Sequence, residues 1–155
     1  MILYLDTSSL AKLYIEEEGA ETVREWAEEA EALATSRVTF PEALSAFTRR
    51  WNRGDLTDEE VQSARESFTA DWPSFVHLPL NERRAGTLVL EHGLRGFDAV
   101  QLAAALDLSS RFPDEEIVFS SFDRNLRSAA RARGLSTLYD TTGGFVMEEE
   151  APYWT

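Results

Sequence analysis

Short apolar runs and helix-patterned segments alternate along this chain, and that alternation restricts the fold more than any other feature of the sequence. Ile2-Leu3-Tyr4-Leu5 is the first run, too short for a core helix and followed at once by a cluster of helix-capping residues, Asp6-Thr7-Ser8-Ser9. Comparable runs recur at 33–35, 75–78, 117–120 and 137–139. Between them lie helical patterns. Leu10 to Tyr14 has helical spacing with Gly19 as its terminator, and 20–30 carries Val23, Trp26, Ala27 and Ala30 on one face. A helix opening at Thr39 ends at Gly54, and Thr57-Asp58-Glu59-Glu60 is a capping box for the next, which runs through Val61, Ala64, Phe68 and Trp72. Further helices are expected at 81–92, 97–109 and 124–133, the last ended by Gly134. Strands alternating with helices imply an α/β fold: three layers, α/β/α, around a mostly parallel five-stranded sheet.

In such a sheet ligands bind outside the carboxyl ends of the strands, where the strand order reverses. The residues to inspect are therefore those just after strands, Asp6 after the first and Ser121-Phe122-Asp123 after the fourth. A chain of 155 residues without repeats or Gly/Ser linkers is one domain, placed at 1–140 with a tail at 141–155. No apolar run is long enough to span a bilayer, and the N-terminus lacks a basic-then-apolar leader, so a cytoplasmic protein without membrane contact is expected.

The absence of cysteine removes disulfides, thiolate metal sites and cysteine nucleophiles together. With only His77 and His92 besides, a metal would have to be held by oxygen, which suits Mg²⁺, Mn²⁺ or Ca²⁺. The formal net charge of −13 argues against broad, non-specific nucleic-acid binding, which depends on Lys and Arg. The acids are concentrated in runs such as Glu16-Glu17-Glu18, Asp58-Glu59-Glu60 and Glu148-Glu149-Glu150, away from the strand ends.

Four acids stand at helix beginnings: Asp6, Glu42, Asp98 and Asp123. Each has a purely structural explanation. Asp6 and Asp123 can be N-caps, Glu42 can close a capping box on Thr39, and Asp98 can answer the helix dipole. Together they ask for more. Asp6 and Asp123 belong at one sheet edge, each acid follows an apolar residue or lies one removed from it, and the other two helices can point their first turns at the same crevice. Two carboxylates about 5 Å apart repel by about 3 kcal/mol at an effective dielectric of about 20, so several such pairs would rival the stability of a whole domain. A divalent cation or shared protons would relieve the repulsion, and with no lysine nearby in sequence the cation is the better answer.

The run Leu3-Tyr4-Leu5-Asp6-Thr7-Ser8-Ser9-Leu10-Ala11-Lys12-Leu13-Tyr14 resembles the opening of PIN-domain proteins, in particular the toxin ribonucleases of VapBC toxin–antitoxin pairs. Three more segments fit in order: Thr39-Phe40-Pro41-Glu42-Ala43-Leu44-Ser45-Ala46, then Leu94-Arg95-Gly96-Phe97-Asp98-Ala99-Val100-Gln101-Leu102-Ala103, then Ser120-Ser121-Phe122-Asp123-Arg124-Asn125-Leu126. The segment around Asp98 is the most specific, and the resemblance extends from Ile2 to about Tyr139. It implies an acidic tetrad of Asp6, Glu42, Asp98 and Asp123, supported by the hydroxyls of Ser8 and Ser121, the latter standing where threonine is more usual. It implies Mg²⁺ (or Mn²⁺) on Asp6, Asp98 and Asp123, with Glu42 binding the metal or orienting water, and hydrolysis of single-stranded RNA to 5′-phosphate and 3′-hydroxyl ends. It further implies a VapB-like antitoxin and a homodimer.

Arg49, Arg50 and Arg53 after Glu42 and Arg124, Arg127, Arg131 and Arg133 after Asp123 could hold phosphates beside the site, but most are assigned to ion pairs on solvated faces. Arg95 and Arg124 are the expected RNA contacts. Phe47, Trp51, Phe68 and Trp72 form either core between two helices or a groove for an antitoxin segment. His77 and His92 are assigned structural roles. A phosphoacceptor receiver domain would need a lysine near its last strand, and Lys12 is the sole lysine; a haloacid-dehalogenase-type phosphatase would need Asp at position 8, which is serine. The surviving alternative is a PIN-fold protein that binds or processes RNA without an antitoxin.

Overall fold

The computed structural model describes residues 1–138. Five strands, β1 (Ile2–Leu5), β2 (Ala32–Ser36), β3 (Val76–Leu78), β4 (Ile117–Ser120) and β5 (Ser136–Thr137), form one sheet in the order β3-β2-β1-β4-β5. Every pairing is parallel, so the sheet is wholly rather than mostly parallel. Chain order moves outward from β1 to β3 on one side and then resumes at β4 on the other. The strand order therefore reverses between β1 and β4, and the crevice of this fold lies at their carboxyl ends.

β1 is buried along its whole length because both faces of the sheet are covered. Its side chains alternate between two cores. Ile2 and Tyr4 join Phe119, Leu88, Leu102 and Leu126 beneath α5 (Glu82–His92), α6 (Gly96–Arg111) and α7 (Arg124–Ala132). Leu3 and Leu5 join Leu10, Val23, Phe47 and Phe68 beneath α1 (Thr7–Ala11), α2 (Ala20–Glu29), α3 (Thr39–Asn52) and α4 (Asp58–Asp71). The first core is bound by α6, which buries Ala99 and the continuous stretch from Gln101 to Leu106. The second is built on rings. Phe68 contacts Tyr14, Phe40, Phe47 and Trp72 at centroid distances of 5.3 to 6.0 Å.

That packing settles the aromatic set. Phe47 and Phe68 are core, and Trp72 packs on Phe40 and Phe75. Trp72 is partly buried, and Trp51 is the most exposed of the four, with its Nε1 donating to Asp58 at 2.7 Å. His77 stacks on Trp72 with centroids 4.2 Å apart and places Nε2 2.7 Å from the Trp72 carbonyl, a packing role.

Local signals fare well. The Thr57 capping box forms in both directions, Glu60 N–H to Thr57 Oγ1 at 3.0 Å and Thr57 N–H to Glu60 Oε1 at 2.8 Å. Gly54 (φ 86°) and Gly134 (φ 91°) close α3 and α7 with paired bonds: Asp55 N–H to Arg50 O with Gly54 N–H to Trp51 O, and Leu135 N–H to Ala130 O with Gly134 N–H to Arg131 O. One assignment is corrected. α1 stops at Ala11, and Gly19 (φ 88°) opens α2 instead of closing α1. The intervening turn is held by Glu17, whose carboxylate takes Lys12 Nζ at 3.0 Å and pairs with Arg50 of α3. The helix through Trp72 likewise tightens into a 3-10 turn at Trp72–Ser74, so β3 starts one residue later than expected. The fifth strand begins at Ser136; Tyr139, the boundary at 140 and the tail at 141–155 lie outside the described residues.

Candidate active site

All four acids sit where strand ends and helix starts meet. Asp6 leaves β1 in an extended conformation (φ −76°, ψ 177°) and caps α1, its Oδ1 accepting from Ser9 N–H and from the Ser8 hydroxyl, each at 2.9 Å. The Ser121 hydroxyl, on the loop after β4, also hydrogen-bonds Asp6. The side chain is buried, and burial raises its pKa against the opposing pull of those donors. Asp123 caps α7 in the same manner, Oδ1 accepting from Leu126 N–H at 2.9 Å, while its own N–H donates to Ser121 Oγ at 3.1 Å. Ser121 thus ties the two acids together. The capping explanation holds for both Asp6 and Asp123.

Glu42 is different. Its capping-box explanation is overturned: the residue before α3 is Val38, which caps nothing, and the Thr39 side chain is buried against Thr35 and Gln101. Glu42 turns instead toward α1 and α6. Its Oε1 accepts from Thr7 Oγ1 at 2.6 Å and lies 3.4 Å from Gln101 Nε2. Burial raises its pKa; Thr7 and Gln101 oppose this, Asp6 reinforces it, and the charge of Arg49 two turns along α3 lowers it again.

Asp98, half-buried in the first turn of α6, is where the fields meet. Its pKa rises from 3.8 to about 6, first from burial and then from the charges of Asp123, Asp6 and Glu42, with Arg95 opposing. The charges of the other three expected acids therefore all reach Asp98.

They share a polar network that sequence reasoning missed. Tyr4 OH, buried in β1, donates to Gln101 Oε1 at 2.6 Å. That fixes the amide, so its NH₂ faces Thr39 Oγ1 at 3.0 Å, Thr7 Oγ1 at 3.2 Å and Glu42. Thr35 donates to the Leu5 carbonyl at 2.7 Å, with the Thr39 hydroxyl 2.8 Å away. A signal was available: Gln101 is the only polar residue in the run Ala99-Val100-Gln101-Leu102-Ala103-Ala104-Ala105-Leu106, one helical turn beyond Asp98 on the same face.

The donors are carboxylate oxygens, a set suited to hard divalent cations, and their mutual repulsion is what an ion would relieve. They stand within electrostatic reach of one another; among the described residues no three His, Cys, Asp or Glu side chains form a ready-made group around one ion. Lys12 does not supply the compensating charge, since its ammonium is engaged by Glu17 and lies 4.5 Å over the Phe122 ring. Arg95 and Arg124 are exposed at the starts of α6 and α7. Among the other arginines, Arg50 and Arg53 pair with acids, Arg133 with Glu91, and Arg49 with Ser45.

A family model for the PIN domain matches residues 3–132. The chain belongs to the PIN-domain family. Ribonuclease VapC45 and ribonuclease VapC49, both of Mycobacterium tuberculosis, are each 32% identical to it over 136 residues, 86% of this chain and 92% of theirs. Ribonuclease VapC3 of Pyrobaculum aerophilum is 28% identical over 110 residues, covering 68% of this chain and 82% of that one. The fold is shared with two solved structures. PAE2754 of Pyrobaculum aerophilum has a TM-score of 0.64 at 19% identity, covering 97% of this chain and 91% of that one. The FitAcB structure of Neisseria gonorrhoeae has a TM-score of 0.61 at 19% identity, covering 88% and 96%. For this PIN-domain chain no helix among the described residues is long and apolar enough to cross a membrane.

Proposed function

We propose that this PIN-domain protein is a Mg²⁺- or Mn²⁺-dependent endoribonuclease of single-stranded RNA and the toxin of a VapBC-type pair, restrained by a VapB-like antitoxin and working as a homodimer in the cytoplasm. The observation that carries the reading is the convergence of Asp6, Glu42 and Asp123 on Asp98, in a chain 32% identical to proteins named ribonuclease VapC. The ion would be held by Asp6 and Asp98, with Asp123 as a third ligand. When bound it supplies Lewis-acid polarisation of the scissile phosphate and a water of lowered pKa.

The side chains do the rest. Ser8, Ser9 and Ser121 fix the Asp6 carboxylate in one orientation, and Asp123 is fixed by its bond to Leu126. Glu42, locked by Thr7 and Gln101 and more basic than an exposed glutamate, orients the attacking water and takes its proton. The new bond forms from that water to phosphorus and the bond to the 3′-oxygen breaks, leaving 5′-phosphate and 3′-hydroxyl ends. Arg95 and Arg124, flanking Asp98 and Asp123, would hold the phosphates of the strand.

The test is cleavage of labelled single-stranded RNA by wild type and Asp98→Asn. Cleavage that needs Mg²⁺ or Mn²⁺, stops with EDTA and is lost in the variant is the expected result. Equal activity of the two proteins would show a contaminating nuclease and refute the site. A short neighbouring reading frame encoding a DNA-binding antitoxin, whose product co-purifies and silences cleavage, is expected for the toxin role.

A further inference from the structure

Beside the acids stands a residue with no work in the fold. Phe97 is 61% exposed although it lies between Leu94 and Ala99, which are 7% and 0% exposed. It belongs to neither hydrophobic core and is stacked on no other ring among the described residues. Gly96 next to it opens onto free space, with nothing within 4 Å of where a Cβ would stand. Arg95, two residues away, is exposed and its charge reaches Asp98. The cation, the ring and the acid stand at positions 95, 97 and 98 of one helix start.

Charge decides what such a surface can bind. At −13 overall, and with Arg50, Arg53, Arg84 and Arg133 already committed to acids, little electrostatic attraction is left for a polyanion. Base stacking on an aromatic ring supplies affinity that does not depend on net charge, alongside the few arginines near the site. Every base has a π-face, so this also suits a nuclease that needs its substrate unpaired. Resting on the ribonuclease reading above, we propose that Phe97 is a stacking platform for a base of the RNA strand next to the scissile phosphate, with Arg95 holding the adjoining phosphate.

The experiment is equilibrium binding of a fluorescein-labelled, mixed-sequence single-stranded RNA in EDTA, so that nothing is cleaved. Phe97→Ala and Phe97→Leu should each weaken binding by about tenfold or more, with the thermal midpoint unchanged because the ring is exposed. Phe97→Trp should restore affinity, and its added indole emission should be quenched by RNA. Arg95→Ala should weaken binding and make it less salt-dependent. Wild-type affinity in Phe97→Leu would overturn the proposal, because apolar area without a ring would then suffice. So would unchanged affinity in Phe97→Ala, or a change in its elution on size exclusion, which would assign the ring to a contact between protein chains. A wild type that binds the strand but never cleaves it with Mg²⁺ or Mn²⁺ would sink the nuclease reading and leave the platform standing.

Discussion

Replacing Asp98 by asparagine should make this protein more stable, not less. Its carboxyl group has a pKa of about 6 in the fold against 3.8 in an unfolded chain, owing to burial and to the negative charges of Asp123, Asp6 and Glu42. The folded state therefore binds a proton that the unfolded state has released between those values, and stability falls as pH rises through that window. The contribution is fully present below about 3.8 and lost once pH passes about 6. The whole difference corresponds to roughly 3 kcal/mol, and because Asp98 is half-buried, solvent screening leaves about 1–2 kcal/mol of it. Asp98→Asn keeps the shape and removes the charge, so at about pH 7.5 in EDTA its thermal midpoint should exceed that of wild type by roughly 3–6 °C. The gain should shrink toward zero at about pH 4, where the native carboxyl is protonated anyway. Mg²⁺ at a hundredfold excess over its dissociation constant should raise wild type by about 2.7 kcal/mol, and the variant by less. Melts followed by circular dichroism across the pH range suffice. A variant less stable than wild type at neutral pH, or a difference that does not change with pH, would refute the account of Asp98 as a repelled acid.

Two further expectations concern groups around the site and far from it. Gln101→Leu removes the amide oxygen to which the buried Tyr4 hydroxyl donates and deprives Glu42 of an amide donor, so urea unfolding should show a loss of about 1–3 kcal/mol and cleavage should fall with it; a fully active, fully stable variant would remove Gln101 from the site. Thr57→Ala breaks an exposed capping box remote from the acids, and should cost about 1 kcal/mol in the same assay while leaving RNA cleavage untouched.

The features legible in the sequence are those whose causes are local. The β1 run, the Asp6 and Asp123 caps, the Thr57 box and the glycine closures after α3 and α7 each depend on residues within a few positions of one another. The hydrogen bonds of the caps, the box and the glycine closures form within one short stretch of chain, whereas β1 shows only its apolar run locally and pairs with the distant β2 and β4. The four acids were legible for a related reason: strand-end and helix-start positions follow from element order, and a doubly wound sheet sends those positions to one edge.

Tertiary structure alone decided the remainder. Gln101 reaches Tyr4 and Thr7 across 97 and 94 residues of chain, so its partners cannot be read from its neighbours. The same holds for Glu42, which looked like a local cap and is held by Thr7 from 35 residues away. Glu17 is one of three consecutive glutamates, and only folding singled it out to meet Lys12 and Arg50. The repulsion at Asp98 is of this kind too, because charges separated by long stretches of sequence interact strongly only once the sheet has gathered them where solvent is partly excluded. The sequence determined which acids stand at helix starts; the fold determined their partners, the fields they meet and the exposure of Phe97 beside them.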